Sequence, residues 1–300
     1  MNDKCSICPR ECHVNRNEGQ IGACGVDNKI YVARVALHMW EEPCISGKNG
    51  SGAVFFVGCP LGCVYCQNYE ISRGRLANEV THGKEMGVEE LARAFLELQA
   101  QGAVNINLVT PTHYTYQIIE AVKLAAKMGL NLPIVYNCSG YEKVETLKLL
   151  EGIVDIYLTD LKYLDVDMAK SLSRASNYPE VAKSALAEMV RQQPKCEFDD
   201  SDHSIMRRGV IVRNLLIPGH VRNSREVVKH VYDTYGNSVY VSIMNQYTPL
   251  SQVEDMSPLN RKVTKREYNR LIDFVINLGM ENVFVQEGDA SGHDFIPDFE

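Results

Sequence analysis

Gly58-Cys59-Pro60-Leu61-Gly62-Cys63-Val64-Tyr65-Cys66-Gln67-Asn68 carries three cysteines spaced C-x3-C-x2-C. The run in front of it, Ser51-Gly52-Ala53-Val54-Phe55-Phe56-Val57-Gly58, is short, apolar, β-branched and aromatic, with glycines near both ends. It reads as a buried strand. The cysteines therefore occupy a loop at the C-terminal end of a strand, where α/β folds place their chemistry. Gly58 and Gly62 let that loop wrap closely around a bound group. Three thiolates on one tight loop suit an iron–sulfur cluster. Zinc is the other candidate, but a structural zinc usually takes four protein ligands; three leave one metal position open.

Downstream of the loop, strand and helix patterns alternate. Helical spacing of Val88, Leu91, Phe95 and Leu98 predicts a helix over 88–101, followed by a strand over 105–109. Helices are predicted over 116–128, 143–150, 166–191 (broken near Asn177-Tyr178-Pro179), 224–235 opening on a Ser224 cap, and 265–278. Strands are predicted over 134–137, 153–158, 210–216, 239–244 and 283–286, and a polar acidic loop over 194–204. Such alternation builds a parallel sheet with outer helices, here of six or seven strands starting at the cysteine loop.

Upstream, Cys5, Cys8, Cys12 and Cys24 form C-x2-C-x3-C-x11-C, with Gly19, Gly22 and Gly25 around the last of them. The segment is too polar to fold by apolar burial, so a metal is the natural staple, and four thiolates fit zinc or a second Fe–S cluster equally well. Unligated surface cysteines are the alternative. A strand follows over 30–39, then the loop Glu41-Glu42-Pro43-Cys44-Ile45-Ser46-Gly47, whose Cys44 is either an extra ligand or a single thiol with no assigned role. The expected domains are a cysteine-rich segment over 1–50, a barrel over 51–288 and a tail over 289–300, which either covers the barrel mouth or docks loosely.

Composition narrows the partners. A net charge of −7 gives no general attraction to nucleic acid. No run of about 18 apolar residues suggests a membrane span, and the start lacks an apolar signal segment, so a cytoplasmic location is expected. Ten cysteines in that reducing compartment point to metal binding rather than disulfides.

The C-x3-C-x2-C loop, with aromatic Tyr65 before its last cysteine, resembles the radical S-adenosylmethionine superfamily. The resemblance implies a partial (β/α)6 barrel of α/β class with a small N-terminal cysteine-rich extension. It also implies a [4Fe–4S] cluster on Cys59, Cys63 and Cys66, whose fourth iron takes the amino and carboxylate groups of S-adenosylmethionine. Asp160-Leu161-Lys162 and Arg213…Pro218-Gly219 resemble elements of the pyruvate formate-lyase-activating-enzyme-like group. Cys8-Pro9-Arg10 and Thr110-Pro111-Thr112-His113 look like its PflX-type branch.

Cofactor contacts are then expected from strand ends: Tyr65, Thr110, His113, Asn137, Ser139, Asp160, Lys162, Arg213 and Gln246. Many family members carry Gly-Gly-Glu where this chain has Thr110–His113, so His113 or the Thr110 hydroxyl would take the methionyl amino group. The plain alternatives are a core-edge histidine for His113, turn chemistry for Asn137–Ser139, and an ion pair for Asp160 and Lys162. Arg213 would clamp a carboxylate through two parallel bonds, and Tyr247 would stack on adenine or pack in the barrel. The implied activity is reductive cleavage of S-adenosylmethionine and hydrogen abstraction by a 5′-deoxyadenosyl radical. The implied electron donor is of the flavodoxin or ferredoxin kind. The substrate is either the backbone glycine of a glycyl-radical enzyme, or a small molecule or other protein residue. A non-enzymatic Fe–S electron carrier is the reading from another class.

Overall fold

The computed structural model describes residues 4–73, 75–76, 79–80, 83–199, 204–286 and 299. Among these the chain forms β1 (Ile30–His38), α1 (Pro43–Ser46), β2 (Ser51–Phe56), α2 (Tyr69–Ser72), β3 (Arg75–Leu76), β4 (Glu79–Val80), β5 (Lys84–Met86) and α3 (Val88–Ala100). Then come β6 (Ile106–Val109), α4 (Thr115–Lys127), β7 (Ile134–Cys138), α5 (Val144–Lys148), β8 (Ile156–Asp160), α6 (Val166–Ser173) and α7 (Tyr178–Gln192). The last are β9 (Glu197–Phe198), β10 (Met206–Leu215), α8 (Val221–Tyr235), β11 (Tyr240–Met244), α9 (Lys265–Leu278) and β12 (Val283–Val285).

The main sheet runs β12-β11-β10-β8-β7-β6-β2-β1-β5. From β2 to β12 the seven strands pair in parallel and in chain order. Sequential parallel neighbours joined by helices wind in one direction, which curls the sheet into an open α/β barrel. β1 pairs antiparallel with both β2 and β5, so the chain extends one edge before the parallel run begins.

Alternation along each strand divides the core. Ile106, Leu108, Tyr136, Tyr157, Val210, Val212, Val241 and Ile243 pack with the buried faces of the outer helices, among them Leu91, Phe95, Ile118, Val228 and Leu271. Val135, Ile156, Leu158 and Ile211 face inward and meet Cys44 and Ile45 of α1. The one-turn α1 thus plugs the barrel interior, and Asn105 fixes it by donating to the Ile45 carbonyl at 2.7 Å. The sequence reads this stretch as a loop only.

Two local details differ from expectation. α8 starts at Val221, and Ser224 is buried inside it rather than capping it. The acidic stretch after Pro194 holds β9, which pairs with the start of β10; residues 200–203 lie outside the described set. The break near Pro179 is where α6 gives way to α7, with the proline at the start of the new helix. Among the described residues, no helix is long and apolar enough to cross a membrane.

Candidate functional site

The cysteine loop leaves β2 at Val57 and is pinned on three sides. The Gly58 N–H donates to the Ile71 carbonyl at 2.8 Å, the Cys59 N–H to Cys24 at 3.1 Å, and the Val64 N–H to Leu172 at 2.9 Å. Leu172 belongs to the last turn of α6, whose carbonyls have no partner within the helix. Arg10 takes the next two, donating to Ser173 at 2.9 Å and Arg174 at 2.6 Å, and reaches Pro60 and Leu61 at 2.8 and 3.0 Å. One guanidinium therefore ties the N-terminal segment, the cysteine loop and a helix end together. Gly58 sits at φ +92, and a Cβ there would lie 2.7 Å from the Cys24 carbonyl, so only glycine fits this crossing.

Cys59, Cys63 and Cys66 line one cavity with Tyr65, Thr110, Asn137, Ser139, Asp160, Lys162, Arg213 and Gln246. These residues come from the C-terminal ends of successive parallel strands, where inward-facing positions converge. Burial, then the neighbouring Cys66 and Cys63, pushes the Cys59 thiol up to about 12. Cys66 is raised by burial and by Cys63. The Cys63 sulfur accepts from Ser173 Oγ at 3.1 Å.

Asp160 and Lys162 pair at 2.5 Å. Burial alone would lower Lys162, but the Asp160 carboxylate and then Cys63 hold it above its ordinary value. Thr110, directly after β6, has φ +58, a conformation that β-branched residues strongly avoid.

Three of the residues considered find their partners within the chain, and for His113 and Tyr247 the plainer of the two alternatives fits. His113 does not join this cavity. It is buried, with Nε2 on the Val57 carbonyl at 2.8 Å, and it lines a separate cavity with Cys5 and Arg16. Burial and then Arg16 depress it to about 3, so it stays neutral. The reason is the short 3₁₀ turn after Thr110, which swings its side chain toward the N-terminal segment.

Arg213 reaches the cavity, but its donors go to the chain's own carboxylates: Nε to Glu42 at 2.8 Å, with Nη2 on Glu42 at 2.6 Å and also on Glu41. Glu41 also accepts from Asn107 at 2.7 Å and Asn137 at 3.3 Å. A buried guanidinium needs such partners, and α1 delivers them. Tyr247 packs: its hydroxyl donates to Leu259 at 2.7 Å and its ring tilts against Tyr65 at 6.1 Å.

Sequence reading missed Glu41, Glu42, Ser173 and Arg10. The signal available for the glutamates was Arg213 itself, a cation on a strand read as buried. Nearly all of the tail lies outside the described residues; Phe299 packs edge-on against Phe55 at 5.7 Å. A larger cavity of about 540 Å³ lies against the N-terminal segment. It lacks the gathered strand ends, so chemistry rather than size selects the site.

Among the described residues no three His, Cys, Asp or Glu side chains stand as a ready-made site for one metal ion. The donor set fits a cluster better. Crowded buried thiols ionise when a cation offsets the charge, and a cluster spreads its ligand sulfurs over separate irons.

Residues 53–194 match the family model of the radical SAM superfamily. An uncharacterized protein of Methanocaldococcus jannaschii is 26% identical over 284 residues, covering 93% of this chain and 76% of that protein. The pyruvate formate-lyase-activating enzyme of Clostridium pasteurianum is 24% identical over 244 residues, covering 76% of this chain and 94% of that enzyme. The crystal structure of HydG, a maturase of the [FeFe]-hydrogenase, superposes with a TM-score of 0.51 at 16% identity, a likeness of fold. That match covers 76% of this chain but only 49% of HydG, so the chain spans about half the length of that solved structure. Over the residues matched by the family model, the strand-end cysteine loop and the open α/β barrel are similar to the radical SAM superfamily.

Proposed function

We propose that this chain is a radical S-adenosylmethionine enzyme that holds a [4Fe–4S] cluster on Cys59, Cys63 and Cys66. One observation carries the reading: three thiols of a single strand-end loop face one cavity whose other walls are the polar ends of neighbouring strands. When bound, the reduced cluster supplies the electron and the open iron position through which S-adenosylmethionine yields a 5′-deoxyadenosyl radical for hydrogen abstraction.

The chain's own residues position and shield. Asn137, Ser139, Thr110 and Gln246 offer short polar contacts for the amino acid and ribose portions of the cofactor. Lys162, kept charged by Asp160, places a cation beside Cys63 and favours added negative charge there. Tyr65 stands under the loop, its hydroxyl 2.5 Å from that of Tyr163, and fixes the backbone between Cys63 and Cys66. Leu61, Val109, Leu215 and Met244 complete the wall and keep water from a reactive site.

Within the superfamily we place the chain nearest the pyruvate formate-lyase-activating group, in its PflX-type branch. The Clostridium pasteurianum relative, Asp160-x-Lys162 and Arg213…Pro218-Gly219 support this. Two substrates follow. Activation of a glycyl-radical enzyme is one. Hydrogen abstraction from a different substrate is the other, favoured by Thr110–His113 in place of the acidic motif and by His113 lying away from the cavity.

Anaerobic incubation of the reduced protein with S-adenosylmethionine tests the activity, with methionine and 5′-deoxyadenosine expected in equal amounts. Repeating it with fractions of deuterated cell extract identifies the substrate by deuterium in 5′-deoxyadenosine. Deuterium from a protein fraction containing a glycyl-radical enzyme supports activation. Transfer only from other fractions overturns it.

A further inference from the structure

The N-terminal segment is organised around its cysteines. Apart from a 3₁₀ turn at Arg16–Glu18, its described residues before β1 form no helix or strand. Cys5 donates to Val14 and accepts from His13, both at 3.0 Å, which brings the chain back beside Cys12. A turn from Gly22 to Val26 then returns Cys24. A Cβ at Gly22 would lie 3.4 Å from both the Cys12 and Cys24 sulfurs, so these are no more than twice that distance apart. Cys5 and Cys24 are electrostatic neighbours of Cys8, and Cys5 and Cys12 are electrostatic neighbours of Cys24, so the four lie close together. Glu11 and His13, flanking Cys12, take positive φ values of 40 and 54, which a free loop of non-glycine residues avoids.

We propose that Cys5, Cys8, Cys12 and Cys24 bind a second iron–sulfur cluster that passes single electrons to the Cys59 loop. The site stands on its own observations; the electron-passing role rests on the function proposed above. The spacing alone fits zinc and a cluster equally well; the hydrogen bond from the Cys59 loop to Cys24 favours the redox-active group, since a zinc site would gain nothing from a link to the second loop.

The route is direct. The Cys24 carbonyl accepts from the Cys59 N–H at 3.1 Å, so one hydrogen bond joins a ligand of one site to a ligand of the other. Cys5 and Cys12 are partly exposed whereas Cys8 and Cys24 are buried, so electrons arrive on the solvent side. A soluble one-electron carrier of the flavodoxin or ferredoxin class is oxidised by one electron. The N-terminal cluster is reduced by one and then reoxidised by the loop cluster, and no proton moves.

The full-length Cys59→Ala/Cys63→Ala/Cys66→Ala variant, reconstituted anaerobically with iron and sulfide, reads the site alone. About four irons and four sulfides retained per chain are expected. One zinc, or folded protein without metal, overturns the site even if wild type cleaves S-adenosylmethionine. Equally, retained iron stands if wild type fails to cleave it. The relay is read by stopped-flow reduction of the loop cluster with reduced flavodoxin. Cys12→Ser should slow it at least tenfold, and an unchanged rate overturns the relay. Cys5→Ser, at a partly exposed position, gives the same reading if Cys12→Ser does not fold.

Discussion

Ser173 Oγ donates to the sulfur of Cys63 across 3.1 Å. Its proton being committed there, the 2.9 Å contact with Tyr163 must have the tyrosine as donor, and the 2.5 Å contact of Tyr65 with Tyr163 then runs the same way. The result is a directed chain from Tyr65 through Tyr163 and Ser173 to Cys63, buried throughout. Hydrogen bonds to cluster sulfurs raise the reduction potential, because they favour the more negative reduced state. Ser173→Ala should lower the potential of the loop cluster by tens of millivolts, on the order set for such contacts. A redox titration followed by electron paramagnetic resonance measures it, and an unchanged potential would show that this bond does not tune the site.

Thr110 holds a left-handed backbone beside the cavity. Such strain costs about 1–3 kcal/mol, and glycine removes it at an unfolded-state cost of about 0.4–1 kcal/mol. Thr110→Gly should therefore raise stability by about 0–2.5 kcal/mol in denaturant unfolding while weakening S-adenosylmethionine binding. A variant that is both less stable and fully binding would contradict the account.

Arg213 joins two carboxylates inside the barrel. Burial alone would raise Glu42, yet the Arg213 guanidinium holds it below its ordinary range. Its stabilising contribution is present above the ordinary carboxylate range and is lost as pH falls through the depressed value. Arg213→Leu strands two buried carboxylates and should cost about 3–5 kcal/mol. It should also steepen the fall of stability as pH rises above about 4.5 relative to wild type, the carboxylates now preferring their protonated form. Unfolding followed between pH 4 and 8 reads both effects.

Glu142 is fully buried, and burial raises it to about 7 despite a 2.9 Å hydrogen bond from Thr112 and the nearby Cys138 thiol; among the described residues its second oxygen has no hydrogen bond of ordinary geometry. The folded state keeps a proton that the unfolded state has lost, so stability declines from about pH 4.5 to 7 and then levels, by about 3 kcal/mol in total. Glu142→Gln should flatten this limb and be the more stable form at pH 8. Identical pH profiles for the two proteins would show that Glu142 is not protonated when folded.

The barrel was legible because its strands are short apolar runs and its helices repeat at 3.6 residues, signals that burial on both sheet faces imposes. Convergence of Thr110, Asn137, Asp160, Lys162 and Arg213 followed from one rule, that residues just past parallel strands share an end. His113 escaped that rule because a single 3₁₀ turn redirects it. Glu41 and Glu42 were unreadable because nothing local distinguishes glutamates in a surface loop from glutamates on a turn inserted in a barrel. Only the distant Arg213 makes the difference. Arg10 and Ser173 act through helix-end carbonyls and a thiol, contacts that leave no periodic trace.

The proposed function requires Cys59, Cys63 and Cys66 to hold a cluster with one position open to S-adenosylmethionine. Electron paramagnetic resonance of the reduced protein, recorded with and without S-adenosylmethionine, tests this most directly. The predicted result is a [4Fe–4S]⁺ signal whose g values shift when S-adenosylmethionine is added, with the shifting component lost in Cys63→Ala. A signal indifferent to S-adenosylmethionine, or one that responds equally in Cys63→Ala, would contradict it.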